Sequence, residues 1–163
     1  VWYFLNGSGA METGLKEIAG TKYFFTDSGA MQTGWKWISG GYYYFKSNGA
    51  MQTGWYQESN KWYYLAENGR MATGLYQVYH STYYDGNGVM QTGWKNLGDG
   101  WHYFDKSGEM LRNTITQDGY YVDQEGVWRD TPKVSTTTEL ITIEKAEALP
   151  ETTVQTTTEE QVQ

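Results

Sequence analysis

Short aromatic runs alternate with turn-forming clusters along the first 130 residues. One such pair, Trp35-Lys36-Trp37-Ile38 and Tyr42-Tyr43-Tyr44-Phe45, is separated by Ser39-Gly40-Gly41. Aromatic and β-branched residues favour strands, and glycine reaches the positive φ that a tight turn needs. Each pair of runs is therefore predicted to form a β-hairpin whose side chains alternate between two faces.

The hairpin pattern repeats at a nearly constant period, which is marked by the methionines. They stand at Met11, Met31, Met51, Met71, Met90 and Met110, with one step of 19 residues among steps of 20. Such self-similarity is typical of stacked-repeat proteins. An isolated hairpin is marginal in water, so each must bury its aromatic face against its neighbours. The sequence predicts an all-β fold, a solenoid of stacked β-hairpins over residues 1–130.

Composition excludes several functions. The net charge of −7 and the lack of a basic stripe argue against nucleic acid. No apolar run is long enough for membrane insertion. The absence of cysteine removes thiolate metal sites and cysteine nucleophiles. Because His80 and His102 are isolated, we expect no metal site, no cofactor and no catalytic residues in this segment.

Residues 131–163 differ from the repeats, since they contain neither glycine nor an aromatic residue. This Thr/Glu-rich segment cannot bury enough apolar area to offset its ordering entropy, and it is predicted to be a disordered linker or stalk. Residues 139–143 could form a short strand. Leu149-Pro150-Glu151-Thr152-Thr153 resembles a sortase signal, but a chance match is favoured because Thr153 replaces the glycine.

The repeats resemble the choline-binding, or cell-wall-binding, repeats of Gram-positive surface proteins. The matching phrase is Gly54-Trp55, then Trp62-Tyr63-Tyr64-Leu65, then Gly69-Arg70-Met71, and it recurs about six times over residues 1 to about 129. The resemblance implies a left-handed superhelix of hairpins. It also implies the family ligand, the choline of teichoic acids, held between consecutive repeats.

Aromatic residues suit that ligand. A quaternary ammonium group has no proton to donate, whereas ring faces attract it by roughly 0.5–2 kcal/mol each, and a thioether adds a polarisable wall. The family cage implies three complete sites in this chain. They comprise Trp35, Tyr42, Met51 and Tyr63; Trp55, Trp62, Met71 and Tyr83; and Trp94, Trp101, Met110 and Tyr120.

Two junctions depart from the cage pattern, and we expect both to lack ligand. In the first, Lys22 would repel a cation, and in the second no strong ring is present. Their members are Leu15, Lys22, Met31 and Tyr43, and Leu75, Thr82, Met90 and His102.

The leading interpretation is a secreted, non-catalytic, cell-wall-associated module that binds choline-substituted teichoic acid. The alternatives are a module that binds glucan or host glycans, and a structural spacer. The chain begins at Val1 without a visible signal peptide, so we interpret it as a piece of a longer protein, with room for a catalytic domain outside it. An exposed aromatic end would favour a homodimer.

Overall fold

A computed structural model describes residues 1–130, and all its regular structure is β. The all-β hairpin fold predicted from the sequence is confirmed, with twelve strands in six antiparallel two-stranded hairpins. The strands are β1 (Gly14–Ile18), β2 (Thr21–Phe25), β3 (Gly34–Ile38), β4 (Gly41–Phe45), β5 (Gly54–Glu58), β6 (Lys61–Leu65), β7 (Gly74–Gln77), β8 (Ser81–Tyr84), β9 (Gly93–Asn96), β10 (Trp101–Phe104), β11 (Thr114–Ile115) and β12 (Tyr121–Val122).

The turn within each of the first three hairpins has two residues. In the β3–β4 hairpin, Ser39 and Gly40 have φ of 47° and 81°. Two consecutive positive values are typical of a type I′ turn, whose twist matches that of the flanking strands. The turn sets the register, which pairs Trp35 with Tyr44 and Trp37 with Tyr42. All four side chains therefore share one face of the hairpin.

From Met51 onward, each methionine joins its own hairpin to the preceding one. Met51 bridges to Phe45 of its own hairpin, and its amide nitrogen donates to the Lys22 carbonyl oxygen at 2.8 Å. Met71 makes the corresponding bond to Tyr42, and Met90 makes it to Trp62, each at 2.8 Å. The methionine that follows one hairpin thus hydrogen-bonds to the hairpin before it, which stacks the repeats.

Glycines in the linking turns lie directly under the methionine side chains. Gly69 has φ of +86°, and a Cβ atom there would lie 2.3 Å from the Met51 sulfur. The same pairing recurs along the solenoid, for example between Met90 and Gly108. The Gly-x-Met pattern of the sequence therefore meets two requirements, a left-handed backbone and room for the next thioether.

The core is a column formed by the last residue of each second strand. Its members are almost fully buried and are Phe25, Phe45, Leu65, Tyr84, Phe104 and Val122. Successive hairpins add ring contacts, since Phe24 stacks on Phe45 with centroids 6.0 Å apart. The other apolar side chains are largely half-exposed, so the solenoid has a narrow core and an aromatic surface.

The predicted linker at residues 131–163 lies outside the described residues, as do the strand at 139–143 and the sortase-like motif. In the part of the chain that is described, no helix is long and apolar enough to cross a membrane.

Candidate functional site

One hairpin face carries the candidate ligand-binding rings. In the β5–β6 hairpin, Trp55 pairs with Tyr64, and Trp62 pairs with Gln57. Trp55 and Trp62 are therefore diagonal neighbours on the same face. Their ring centroids are 6.2 Å apart, and the ring planes are nearly perpendicular at 88°. Trp55 is 42% exposed and Trp62 is 40% exposed, so this right-angled corner is open to solvent.

The first open site at such a corner is a cavity of 410 Å³, which we call the Trp55 pocket. Trp55 and Trp62 form two of its walls, and Met90 closes it from the hairpin that follows. Lys106 and Ser107, from the turn after β10, complete the lining. The volume suits a small ligand, since such pockets typically span about 300–1,000 Å³.

The second open site is a cavity of 440 Å³, the Trp94 pocket, around the β9–β10 hairpin. Trp94 and Trp101 correspond in register to Trp55 and Trp62. The remaining walls are Asp118, Tyr120 and Trp128. The Tyr120 ring lies 5.9 Å from Trp94 and 6.3 Å from Trp128, both nearly edge-on. Four rings therefore surround this pocket.

Around Trp35 the predicted residues are more tightly packed. The Trp35 ring lies 5.0 Å from Tyr63 and also contacts Tyr44 and Tyr56, at 5.2 and 5.8 Å. Tyr42 instead stacks edge-on against Trp37 at 4.8 Å. Trp37 lies outside every predicted cage, but its ring contacts Tyr42, a predicted cage residue that stays 45% exposed.

At each corner, the residue in the methionine position comes from one repeat later in the chain than the methionine that the sequence interpretation assigned to it. Met90, and not Met71, lines the Trp55 pocket. In the Trp94 pocket the same place belongs to Trp128, while Met110 is buried. Trp128 bridges to Val122, and its amide nitrogen donates to the Trp101 carbonyl oxygen at 2.7 Å, as Met90 does to Trp62.

At the Trp35 site the backbone shows the same shift. The Met71 amide donates to the Tyr42 carbonyl oxygen, whereas the Met51 amide donates to that of Lys22. The cause is the stacking of hairpins, because a methionine is hydrogen-bonded to the hairpin before its own.

Tyr83 also lies away from the Trp55 pocket. The β7–β8 hairpin is one residue shorter than its neighbours, so Tyr83 pairs with Leu75 as Tyr64 pairs with Trp55. The Tyr83 ring lies 6.1 Å from Phe104. Thr82 lies two residues before the buried end of its strand, the position that Tyr63 and Tyr120 hold in their own hairpins. It lines a cavity of 160 Å³ beside Trp55.

The second junction predicted to lack ligand has two buried members. The Thr82 side chain is buried, and so is the His102 side chain, whose Nε2 lies 3.0 Å from Asp99 Oδ1. The hydrogen bond from His102 lowers the pKa of Asp99, with a smaller backbone contribution. Leu75 is half exposed.

Carboxylates orient two of the cage tryptophans. The Trp94 indole N–H donates to Asp118 Oδ2 at 2.8 Å, and the Trp35 indole N–H donates to Glu58 Oε2 at 3.0 Å. Val78 occupies the place beside Trp55 that these carboxylates occupy beside Trp94 and Trp35. In residues 1–130, no group of three or more His, Asp or Glu side chains is placed to hold a metal ion.

The sequence interpretation missed four lining residues, namely Lys106, Ser107, Asp118 and Trp128. Of these, only Trp128 could have been recognised from the sequence, since it lies near the position expected for a seventh methionine. The others come from turns of later hairpins, and their residue types carry no mark of the pocket they reach.

Known repeat families match most of the described chain. Two families described as choline-binding repeats match residues 32–76 and 92–128. A family described as a cell wall binding repeat matches residues 1–11 and 13–31. Among curated protein sequences none matches this chain.

Solved structures provide the second comparison. Choline binding protein F of Streptococcus pneumoniae, solved with a peptidoglycan analogue, is 45% identical with a TM-score of 0.75, and the match covers 79% of this chain and 44% of that one. CbpJ of the same species is 43% identical over 78% of this chain and 45% of its own, with a TM-score of 0.73.

The cell wall endolysin of phage Cp-1, solved with choline, is 31% identical over 78% of this chain and 40% of its own, with a TM-score of 0.55. This chain thus spans less than half the length of these relatives. Since both the repeat families and the solved structures agree, the chain belongs to the choline-binding, or cell-wall-binding, repeat family.

Proposed function

We propose that this module attaches a secreted protein to the cell wall by binding the choline of teichoic acids. The open right-angled tryptophan corner, seen at Trp55 and Trp62, carries the proposal. Perpendicular ring faces can surround a trimethylammonium group, to which few hydrogen bonds are available. Several such corners on one rigid solenoid would give avidity for a wall that displays many cholines.

The residues that we propose for choline contact follow the observed lining. In the Trp55 pocket they are Trp55, Trp62 and Met90, which replaces Met71 and Tyr83 of the sequence interpretation. In the Trp94 pocket they are Trp94, Trp101, Tyr120 and Trp128, with Trp128 in place of Met110. At the first site, Trp35, Tyr42 and Tyr63 remain proposed, and Met71 is a better candidate than Met51.

Tryptophan fluorescence of the full chain tests this function. We expect a saturable response to choline and none to glucose oligomers. A chain that responded to oligosaccharide but not to choline would contradict the proposal. Retention on choline-bearing cell walls, lost when free choline is added in excess, is the matching assay for attachment.

A glycan-binding module is the second candidate. Asp118 favours it, because this carboxylate lies beside an aromatic platform, and sugars need both ring stacking and polar partners. Under this alternative, Asp118→Ala should remove the oligosaccharide response but leave any choline response largely in place.

Two wider expectations stay predictions. A catalytic domain attached elsewhere in the whole protein would be directed to the wall by this module. The other is a homodimer, which would bury exposed aromatic surface of the repeats. Sedimentation at several protein concentrations measures the second.

A further inference from the structure

We propose that Met90 is an oxidation site, at which hydrogen peroxide weakens the Trp55 pocket while leaving the Trp94 pocket unchanged. The modification converts the Met90 thioether to a sulfoxide. Its effect on binding rests on the proposed function, in which both pockets hold choline. The reactivity of the thioether depends only on its place in the fold and is measured separately.

The Met90 side chain lies in an accessible place. It is half-buried, and it forms one wall of the open 410 Å³ Trp55 pocket, opposite the corner made by Trp55 and Trp62. Methionine is readily oxidised where an oxidant can reach it, and hydrogen peroxide is far smaller than this cavity. The oxidant can therefore meet the thioether without any opening of the fold.

A linking turn closes one side of the Met90 sulfur. A Cβ atom at Gly108 would lie 2.5 Å from this sulfur, so the thioether rests directly on the glycine. That side has no room for another heavy atom. An oxygen added to the sulfur must therefore enter the pocket or lift the side chain off Gly108, and the wall of the pocket changes in both cases.

The chemical step is a two-electron transfer of oxygen. A lone pair of the Met90 sulfur attacks one oxygen of hydrogen peroxide, so that an S–O bond forms and the O–O bond breaks. The departing hydroxide takes the proton of the transferred oxygen and leaves as water. The sulfur is oxidised and the peroxide is reduced. Methionine sulfoxide reductases restore the thioether, so the change is reversible.

A sulfoxide at Met90 is a poorer wall for a trimethylammonium group than a thioether. The thioether is apolar and polarisable, whereas the sulfoxide is polar and holds water that a ligand must displace. We expect choline affinity at the Trp55 pocket to fall about two- to tenfold, as for the loss of one sulfur contact.

The Trp94 pocket has no accessible thioether in its lining. Trp128 holds the place that Met90 holds in the Trp55 pocket, and Met110 is only 5% exposed. The last linking turn covers Met110, since a Cβ atom at Gly126 would lie 3.2 Å from its methyl carbon. Because the other five methionines are half-buried or exposed, peroxide should oxidise Met110 last. One oxidant should therefore separate the two pockets.

Peptide mass spectrometry of the full chain after mild peroxide treatment measures the oxidation of each methionine. We expect Met90 to be oxidised well before Met110. Choline in excess should slow the oxidation of Met90, because the ligand covers the sulfur. It should not protect Met11, which is 46% exposed and lies outside the Trp55 pocket. Equal oxidation rates of Met90 and Met110 would contradict the assigned site.

The tryptophan indole N–H signals of the same samples, followed by NMR during titration with choline, measure the effect on binding. Affinity at Trp55 and Trp62 should fall after oxidation, and affinity at Trp94 and Trp101 should not. Near-UV circular dichroism shows whether the fold is kept. A joint loss at both pockets would mean that oxidation acts through the whole fold, and it would overturn the proposal.

Met90→Leu is the resistant variant, and Met71→Leu is its matched control, because Met71 is another half-buried thioether that does not line the Trp55 pocket. Peroxide should weaken the Trp55 pocket in Met71→Leu but not in Met90→Leu. Met90→Gln, which places a polar group there, should weaken the pocket without any oxidant.

Three results would count against the inference or its premise. Unchanged affinity at Trp55 in the oxidised parent chain would overturn the proposal, and so would a full loss in oxidised Met90→Leu. A chain that bound no choline before oxidation would overturn the proposed function instead, while the order in which the methionines oxidise would still test the accessibility of Met90.

Discussion

The Trp55 and Trp94 pockets share a tryptophan pair seven residues apart and differ on the other walls. The third wall is Met90 in one and Trp128 in the other. At the register position that faces the first tryptophan, Thr82 lies beside Trp55 and Tyr120 lies beside Trp94.

Charge separates the two pockets further, with Lys106 lining one and Asp118 lining the other. The comparison teaches that the repeat keeps the ring corner, while neighbouring hairpins and turns set its charge and its degree of enclosure.

The largest expected effect comes from removing the second ring of each corner. Trp62→Ala and Trp101→Ala should each weaken choline binding by about two- to thirtyfold at their own pocket, since one ring face contributes roughly 0.5–2 kcal/mol. Both rings are nearly half exposed, so the fold should survive. Calorimetry or indole NMR measures the change.

Trp37→Ala is the control for both pockets, because Trp37 is 62% exposed and contacts Tyr42 rather than either corner. If Trp62→Ala weakened the Trp94 pocket equally, the two pockets would not be independent.

The next effect concerns stability under the Trp55 pocket. Tyr84 lies 6.1 Å from Trp55, and its hydroxyl is buried beside Thr82 without a hydrogen bond of good geometry in the described structure. Burial raises the pKa of this hydroxyl well above its ordinary value. Val122 holds the corresponding place in the last hairpin and has no polar atom to satisfy. Tyr84→Phe should raise the free energy of unfolding by about 1 kcal/mol.

Urea denaturation measures that gain, and Tyr64→Phe, at a half-exposed position, serves as the control. A loss of stability in Tyr84→Phe would show that the hydroxyl has a favourable partner.

A smaller effect tests the facing ring. Tyr120→Thr should weaken choline binding at the Trp94 pocket by about two- to fivefold, because one edge-on ring is lost. Thr82→Tyr should strengthen the Trp55 pocket by a similar factor, since the adjoining 160 Å³ cavity gives the new ring space. Indole NMR reads both pockets in one titration. Equal affinities before and after both exchanges would contradict the role assigned to this register position.

The smallest effect is electrostatic. Asp118→Asn keeps an acceptor for the Trp94 indole but removes the carboxylate charge, so choline affinity at the Trp94 pocket should fall about twofold at low salt. The difference should vanish at high salt. A salt-independent loss would mean that Asp118 acts through the position of Trp94 and not through its charge.

Much of the fold follows directly from the sequence. The period of the methionines predicts stacked hairpins, and the aromatic runs predict the second strand of each hairpin within one or two residues of its observed bounds. The first aromatic run, Trp2-Tyr3-Phe4-Leu5, forms no strand. Gly69 and its equivalents also fit the prediction, since a glycine is needed where φ is positive. These features depend on residues close together in the chain, so local physics determines them.

The site was only partly predictable. The pairs Trp55–Trp62 and Trp94–Trp101 line common pockets because each pair lies within a single hairpin. The sequence interpretation assigned each pocket a methionine from one repeat too early, because the repeat period does not determine how one hairpin stacks on the next. Tyr83 was misaligned because a one-residue deletion shifts the whole strand relative to its neighbours, and side chains alternate faces at each residue.

The sequence by itself determined the repeat and the hairpins, since a 20-residue period and strand alternation act over short separations, and its resemblance to a known repeat family pointed to the tryptophan pairs. Only the tertiary structure decided that Met90 closes the Trp55 pocket, that Trp128 stands for a methionine, and that Lys106 and Asp118 give the two pockets opposite charge. The physical reason is the stacking itself. It places turns beside rings from much earlier in the chain, as for Lys106 and Trp55, which are 51 residues apart.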